Sequence, residues 1–528
     1  MKFSGFAKTG LLLSAAMLAL CANAHAASFR YANDGDANSM DPYTRSETFL
    51  LTFTQNFYDP IVRRDKNLKV EPALAESWET PDTTTYRFHL RHGVKFHEGQ
   101  DFTADDVVFS YQRAIAPGSQ INNRFQAVSD VKKIDDFTVD FLMKVPDPIF
   151  LEEITDWVIM SKSWCEEHNA VQAQDLTKAG ENYATRHENG TGPYILDIRE
   201  PDRRTTFHAN PKWWDKIKGN ATEITFNVIA NAATRVSALV SGDVDMIYTV
   251  PPQDIQRLEK APGLRLWMGP ELRTIFLGFD VARPELLKSD VKGKNPFQDK
   301  RVRQAFYEAI DINAIQARVM RTQSRPTGLM YGPGVNGFDP NADTRYPYSP
   351  DEGKKLLAEA GYPNGFGVTL DCPNDRYVND EAICQAVTAM LARIGVKVTL
   401  AAQTRLKYFA EISNPEYHTS FYMLGWTPST YDAHNALYNL LGSRNGTRGV
   451  FNDGGWSNKE FDELLDKMAV ETDKTKREEM INAASKIAKD EVATIPLHQQ
   501  VLVWASKASI DLVQPADNTF PIRFVTVK

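Results

Sequence analysis

The clearest periodicity in the chain lies at residues 86–91, where Tyr86, Phe88 and Leu90 alternate with Arg87, His89 and Arg91. A period of two puts the apolar side chains on one face and the charged ones on the other, which predicts a half-buried antiparallel strand. Residues 63–205 are rich in such segments, and a short strand is expected at 28–33. Beyond residue 205 the texture changes. A strand at 223–229, a helix at 234–240 stopped by Gly242, and a strand at 244–249 make a βαβ rhythm. Val302, Ala305, Phe306, Ala309 and Ile310 recur at helical spacing behind Asp299, a candidate N-cap. Ser349-Pro350-Asp351-Glu352 opens another helix, closed by Gly361 and Pro363.

Residues 367–402 carry the most information. A strand at 367–372 leads to a helix at 380–394 with Ile383, Val387, Met390, Leu391 and Ile394 facing inward, then Gly395 and a second strand at 396–402. Ligands of open α/β sheets bind beyond the carboxyl ends of the strands, and the loop there holds Asn374, Asp375, Arg376 and Tyr377. Another strand, 418–424, runs into Gly425 and Trp426, followed by Ser429, Thr430, Tyr431, Asp432 and a helix at 433–441. One edge therefore gathers a guanidinium, an indole and a carboxylate. Arg376 suits bidentate capture of a carboxylate or simple solvation of the surface. Trp426 suits a stacking platform or a core position. Asp432, directly ahead of a helix, reads most simply as an N-cap.

At 528 residues the chain exceeds what one hydrophobic core spans, so two or three domains are expected. Lys and Arg number 60 against 68 Asp and Glu, a net charge of −8, and no basic block could track a phosphate backbone, which argues against nucleic acid as a partner. Residues 1–26 read as a secretory signal: Lys2 and Lys8, an apolar run from Leu11 to Leu20, and Ala24-His25-Ala26 as the cleavage site. Leu20 stands where a lipoprotein signal carries a small residue, which argues against a lipid anchor on Cys21. Of the remaining cysteines, Cys372 and Cys384 either close a short loop, a link that contributes ~2–4 kcal/mol, or stay as separate buried thiols; Cys165 is left over. The nucleophile elbow, the phosphate-cradling loop, the zinc-protease helix and paired CxxC ligands are all missing, so no catalytic residue, metal or cofactor is assigned. His89, His92 and His97 cluster only along the sequence.

Residues 74–114, LAESWETPDTTTYRFHLRHGVKFHEGQDFTADDVVFSYQRA, resemble the signature stretch of extracellular solute-binding family 5, the peptide receptors of ABC importers. Further matches follow in order: Ser39-Met40-Asp41-Pro42, Tyr58-Asp59-Pro60, GTGPY at 190–194, NPKWW at 210–214, SGDVDMI at 241–247, DKRVRQAFYEAID at 299–311, YSPDEGKKLLAEAGY at 348–362 and GW at 425–426. The resemblance implies an α/β periplasmic binding protein of two lobes, of the type II-like enlarged class with an additional strand-rich domain, closing on a hinge around its ligand. Lobe I would comprise residues 27–62, 206–270 and 497–528, the strand-rich domain 63–205, and lobe II 271–496. It implies a monomer without enzymatic activity that hands a peptide or peptide-like solute to a permease. Arg376 would then hold the ligand carboxylate, with Asn374, Tyr377 and Trp426 beside it. The family's amino-binding aspartate falls at Ser429, so either Asp432 takes over that role or the solute lacks a free α-amino group there. Opines, oligosaccharides and nickel chelates remain alternatives, a secreted hydrolase a weaker one, and a signalling role is left open.

Overall fold

The computed structural model describes residues 27–44, 48–174, 181–413 and 417–528. The expected signal segment and Cys21 lie outside them. The frame is one mixed sheet whose strands neighbour one another in the order Lys397–Gln403, Gly367–Pro373, Phe421–Trp426, Leu264–Phe279, Thr494–Lys507, Met246–Ile247, Ala27–Asn33, Ala221–Val228, Arg204–Ala209 and Tyr194–Glu200. One end builds lobe I around the parallel pair Ala27–Asn33 and Ala221–Val228. The other builds lobe II around the parallel pair Gly367–Pro373 and Lys397–Gln403.

Two long antiparallel strands, Leu264–Phe279 and Thr494–Lys507, run through both lobes. Their ladder pairs Leu264 through Pro270 with Lys507 through Val501 in lobe I, and resumes at Thr274 opposite Gln499 in lobe II. Glu271, Leu272 and Arg273 thus face Gln500 alone. A proline at a ladder break is expected, because it donates no hydrogen bond, and an excess of residues on one strand bends it and re-aims side chains.

Both sheet faces are covered, so the strands alternate between two cores. Phe29 and Tyr31 join one cluster while Ala32 joins another. In lobe II, Ile275, Leu277 and Phe279 pack on one side and Phe276 on the other. The anticipated helix ends are present. Asp299 accepts from Arg301 N–H ahead of Lys300–Ala309, Ser349 accepts from Glu352 N–H ahead of Pro350–Glu359, and Gly242 ends Ala232–Ser241 with a φ of 86°.

A separate antiparallel sheet, ordered Ala75–Asp82, Thr85–Leu90, Thr138–Met143 and Val128–Asp135, makes the strand-rich region. Phe88 and Leu90 are buried as their alternation predicts, and Arg87 reaches across to Asp140 at 2.7 and 2.8 Å. Tyr194–Glu200, read from sequence as part of that region, joins the large sheet instead. Ahead of it the GTGPY run passes against the backbone of Phe57 so closely that a Cβ on Gly190 would lie 2.0 Å from the Phe57 carbonyl oxygen. Two strands differ from expectation. Of residues 244–249 only Met246–Ile247 pair in the sheet. The strand expected at 418–424 is Phe421–Trp426, because the start of that segment is used elsewhere: His418 N–H bonds to Glu411, Thr419 Oγ1 to Asp371, and Ser420 Oγ accepts from Lys288 N–H.

Candidate functional site

A cavity of about 670 Å³ lies between the lobes. From lobe II it is walled by Arg273, Arg376, Tyr377, Trp426, Phe451 and Asp453, and from the opposite side by Arg64, Arg124, Asp156 and Arg523. Its lobe II wall forms at the carboxyl end of Gly367–Pro373, where a βαβ unit leaves backbone to be shaped by side chains. The buried Asp380 carboxylate does the shaping: its Oδ2 accepts from Arg376 N–H (2.9 Å) and Tyr377 N–H (3.0 Å). The Cys372–Cys384 disulfide closes the same loop at its base.

The Arg376 guanidinium lies 5.2 Å from the centre of the Tyr377 ring. Glu271, only 4% exposed, meets Arg273 Nη1 at 3.3 Å. Burial pushes the Glu271 carboxyl up, and Arg273 and Arg376 act against that. Both guanidiniums thus act on the Glu271 carboxylate through their charge, and both line the cavity. The Gln500 amide satisfies both its neighbours when its nitrogen donates to Glu271 (3.3 Å) and its oxygen accepts from Val378 N–H (3.0 Å), joining the ladder break to the Arg376 loop.

Trp426 is half-buried, with its ring 4.9 Å from that of Phe451 and Nε1 donating to Asn435 Oδ1 (2.9 Å). Asn435 in turn donates to the exposed Ser429 hydroxyl (3.3 Å). Arg376, Tyr377, Trp426 and Ser429 thus come together on one cavity. Asn374 does not line it; its side chain is exposed and its N–H pairs with Gln403. Asp432 does not line it either. It caps Ala433–Leu440 by accepting from His434 N–H, receives Asn336 Nδ2 (2.7 Å), and holds Arg477 at 2.6 and 2.8 Å. Its carboxylate is committed to the scaffold, as its place ahead of a helix suggests.

Across the cavity, Arg124 is matched by Asp156 at 2.8 and 2.7 Å. Arg64 lies 3.6 Å from the Tyr431 ring centre and donates to the Thr430 carbonyl (3.4 Å), a contact across the cavity. Burial, reinforced by neighbouring Arg63, pushes the Arg523 guanidinium down to about 10. Arg64, Arg273, Glu271 and Asp453 were missed by sequence reasoning. Only Arg273 carried a signal, the proline at 270 just ahead of it, a residue that breaks ladder pairing. Of the clustered histidines, His97 bonds Glu188 and the Gly192 carbonyl while His92 packs on Phe137, so these rings serve different neighbours.

Residues 69–448 match the family described as bacterial extracellular solute-binding proteins, family 5 middle. The heme-binding protein A of Haemophilus influenzae is 29% identical over 85% of this chain and 82% of its own. The glutathione-binding protein GsiB of Escherichia coli O157:H7 is 27% identical over 96% and 95%. The periplasmic binding protein DppA of Helicobacter pylori, solved with the peptide STSA, superposes with a TM-score of 0.79 at 23% identity over 95% of this chain and 98% of that one, a likeness of fold. Given the match across most of the chain, on a two-lobed frame with a cavity between the lobes, the protein belongs to the bacterial extracellular solute-binding proteins of family 5.

Proposed function

We propose that this protein is the periplasmic receptor of an ABC importer, a monomer that encloses a small peptide or peptide-like solute between its lobes and presents the closed form to the permease. The observation that carries this reading is the presence of two guanidiniums, Arg273 and Arg376, on one wall of the interlobe cavity, with the buried Glu271 carboxylate 3.3 Å from Arg273. Two guanidiniums on one wall suit a carboxylate, because guanidiniums bind carboxylates with two parallel hydrogen bonds. Trp426 and Phe451 supply flat apolar area for the rest of the solute. Closure excludes water and strengthens the charge pairing, while desolvation takes part of the gain back. Occupancy is reported to the permease by its preference for one of two lobe arrangements.

Relatives carry different cargo in their names, glutathione in one and heme in another. The test is mass spectrometry of what co-purifies with the exported protein, followed by calorimetry with dipeptides, tripeptides and glutathione. Micromolar binding amounts to ~8 kcal/mol and is within reach of a few such contacts. X-ray scattering should report a smaller radius of gyration with bound solute. Absence of binding across all three sets, or recovery of the solute cleaved, would overturn the reading.

A further inference from the structure

The cavity wall opposite Arg376 carries guanidiniums too, and one of them has no carboxylate of its own. Arg523 is half-buried and lines the interlobe cavity. It also lines a smaller adjoining cavity of about 410 Å³, which shares Arg63, Asp65, Lys66 and Phe524 with the first. A guanidinium has five N–H donors. In Arg523 the Nη2 group meets the Arg64 carbonyl at 3.3 Å, and the side chain forms no ion pair among the described residues, so the remaining donors open on the two cavities.

The acids nearby are already engaged. Glu71 and Asp215 hold Arg63 at 2.7 and 2.6 Å. Asp59 accepts from the indoles of Trp213 (3.0 Å) and Trp214 (2.6 Å) and from the Thr191 hydroxyl (3.1 Å). Asp65 accepts the N–H groups of Asn67 (2.7 Å) and Lys69 (2.9 Å). Arg64, the neighbouring cation, is spent on the carbonyls of Leu68 (2.8 Å) and Thr430 (3.4 Å). Burial and the Arg63 charge accordingly pull the Arg523 guanidinium down, a cost that an incoming anion relieves. The backbone beneath it is pinned: the Arg523 carbonyl accepts from Lys218 N–H and Gly219 N–H, both at 2.9 Å, and a Cβ on Gly219 would meet the Val525 carbonyl oxygen at 1.9 Å. The charges that weigh on Arg523 are Arg63, Asp59, Glu71 and Asp215, whereas those that weigh on Glu271 are Arg273 and Arg376. Two cationic centres in separate charge neighbourhoods on opposite walls call for two anionic groups rather than one.

We propose that Arg523 receives a second anionic group of the solute, so that the preferred cargo is a short peptide with an acidic side chain, one carboxylate at Arg273 and Arg376 and the other at Arg523. The inference rests on the reading of the interlobe cavity as a peptide-like solute site and adds a charge requirement to it. A carboxylate answers a guanidinium with two parallel hydrogen bonds and a full charge, whereas a side-chain amide of the same shape brings one acceptor and no charge.

The test uses alanine tripeptides carrying a single glutamate at the first, second or third position, each against its glutamine counterpart, read by calorimetry on wild-type protein, Arg523→Gln and Arg523→Lys. Wild type should bind at least one glutamate peptide about tenfold or more tightly than its glutamine twin, as for gain of a charged hydrogen bond. Arg523→Gln should lose most of that preference while binding the glutamine peptides as wild type does, and Arg523→Lys, which keeps the charge, should retain part of it. Wild type binding every pair alike, or Arg523→Gln keeping the preference, overturns this proposal alone; the first comparison needs no variant to fold. Wild type binding none of the tripeptides overturns the peptide reading and this proposal with it.

Discussion

Asp432 and Arg477 form a bidentate ion pair, at 2.6 and 2.8 Å, in which neither side chain is more than 5% exposed. It ties the start of Ala433–Leu440 to the helix Lys474–Asp490 behind the cavity wall. Removing one partner of such a pair leaves the other buried and unpaired, so Asp432→Ala should destabilise by ~3–5 kcal/mol in denaturant unfolding. Burial pushes the Asp432 carboxyl up, but the Arg477 hydrogen bonds and charge outweigh it and leave it below the ordinary range. Its contribution is therefore complete above the unfolded carboxylate value of about 3.9 and is lost as pH falls through the lower folded value. The gap between wild type and Asp432→Asn should shrink in that acid window; a constant gap would argue against the pair.

Arg376→Ala should weaken a carboxylate-bearing solute by ~2–5 kcal/mol, the range for truncating one partner of a desolvated charge pair. Calorimetry showing less than about a threefold change, under 1 kcal/mol, would remove Arg376 from the site. Glu271→Gln, which removes the negative charge 3.3 Å from Arg273, should bind the same solute at least as tightly as wild type.

Cys372 and Cys384 bracket the Arg376 loop with a disulfide, so reductant or the double serine variant should cost ~2–4 kcal/mol and weaken solute binding as the loop loosens. Cys165 behaves differently. Burial pushes its thiol up to about 12, so it should resist alkylation in the native protein and react on unfolding. Fast native labelling of Cys165, counted by intact mass, would contradict this placement.

His97 sits with Nδ1 at 2.8 Å from Glu188 and Nε2 at 3.0 Å from the Gly192 carbonyl, so both ring nitrogens face acceptors. Burial alone would pull the ring down; the Glu188 charge and hydrogen bond and the Gly192 carbonyl outweigh it and raise the folded value. A raised histidine contributes fully below its unfolded value of about 6.5 and loses that contribution as pH climbs through the folded value. Thermal midpoints of wild type and His97→Gln should therefore converge on the alkaline side. Divergence there would mean the ring is neutral.

Local signals reached as far as local physics does. Asp299, Ser349 and Gly242 cap helices where the sequence placed them, because a cap depends on neighbours within one turn. The βαβ unit around Arg376 was legible from periodicity, and the loop's position at a strand end followed. Asp432 carried two readings in the sequence, and only the distant Arg477 decides between them. Arg273 faces the cavity, with the buried Glu271 behind it, through a ladder break whose partner, Gln500, is more than two hundred residues away in sequence. Arg523 follows no periodic segment at all, and its chemistry arises from the company it keeps in space.

The three-for-one mismatch between residues 271–273 and Gln500 falls where the two continuous strands pass from lobe to lobe. On the proposed reading, in which the lobes close at this crossing and an anion seats on Arg273, pivot and charge reader are one object: a rotation there would swing the Arg273 guanidinium, and an anion seated on it would lean on the axle. Such a receptor has no need of a relay from cargo to lobe angle, and a substitution at this crossing that retunes selectivity will also reset the resting posture.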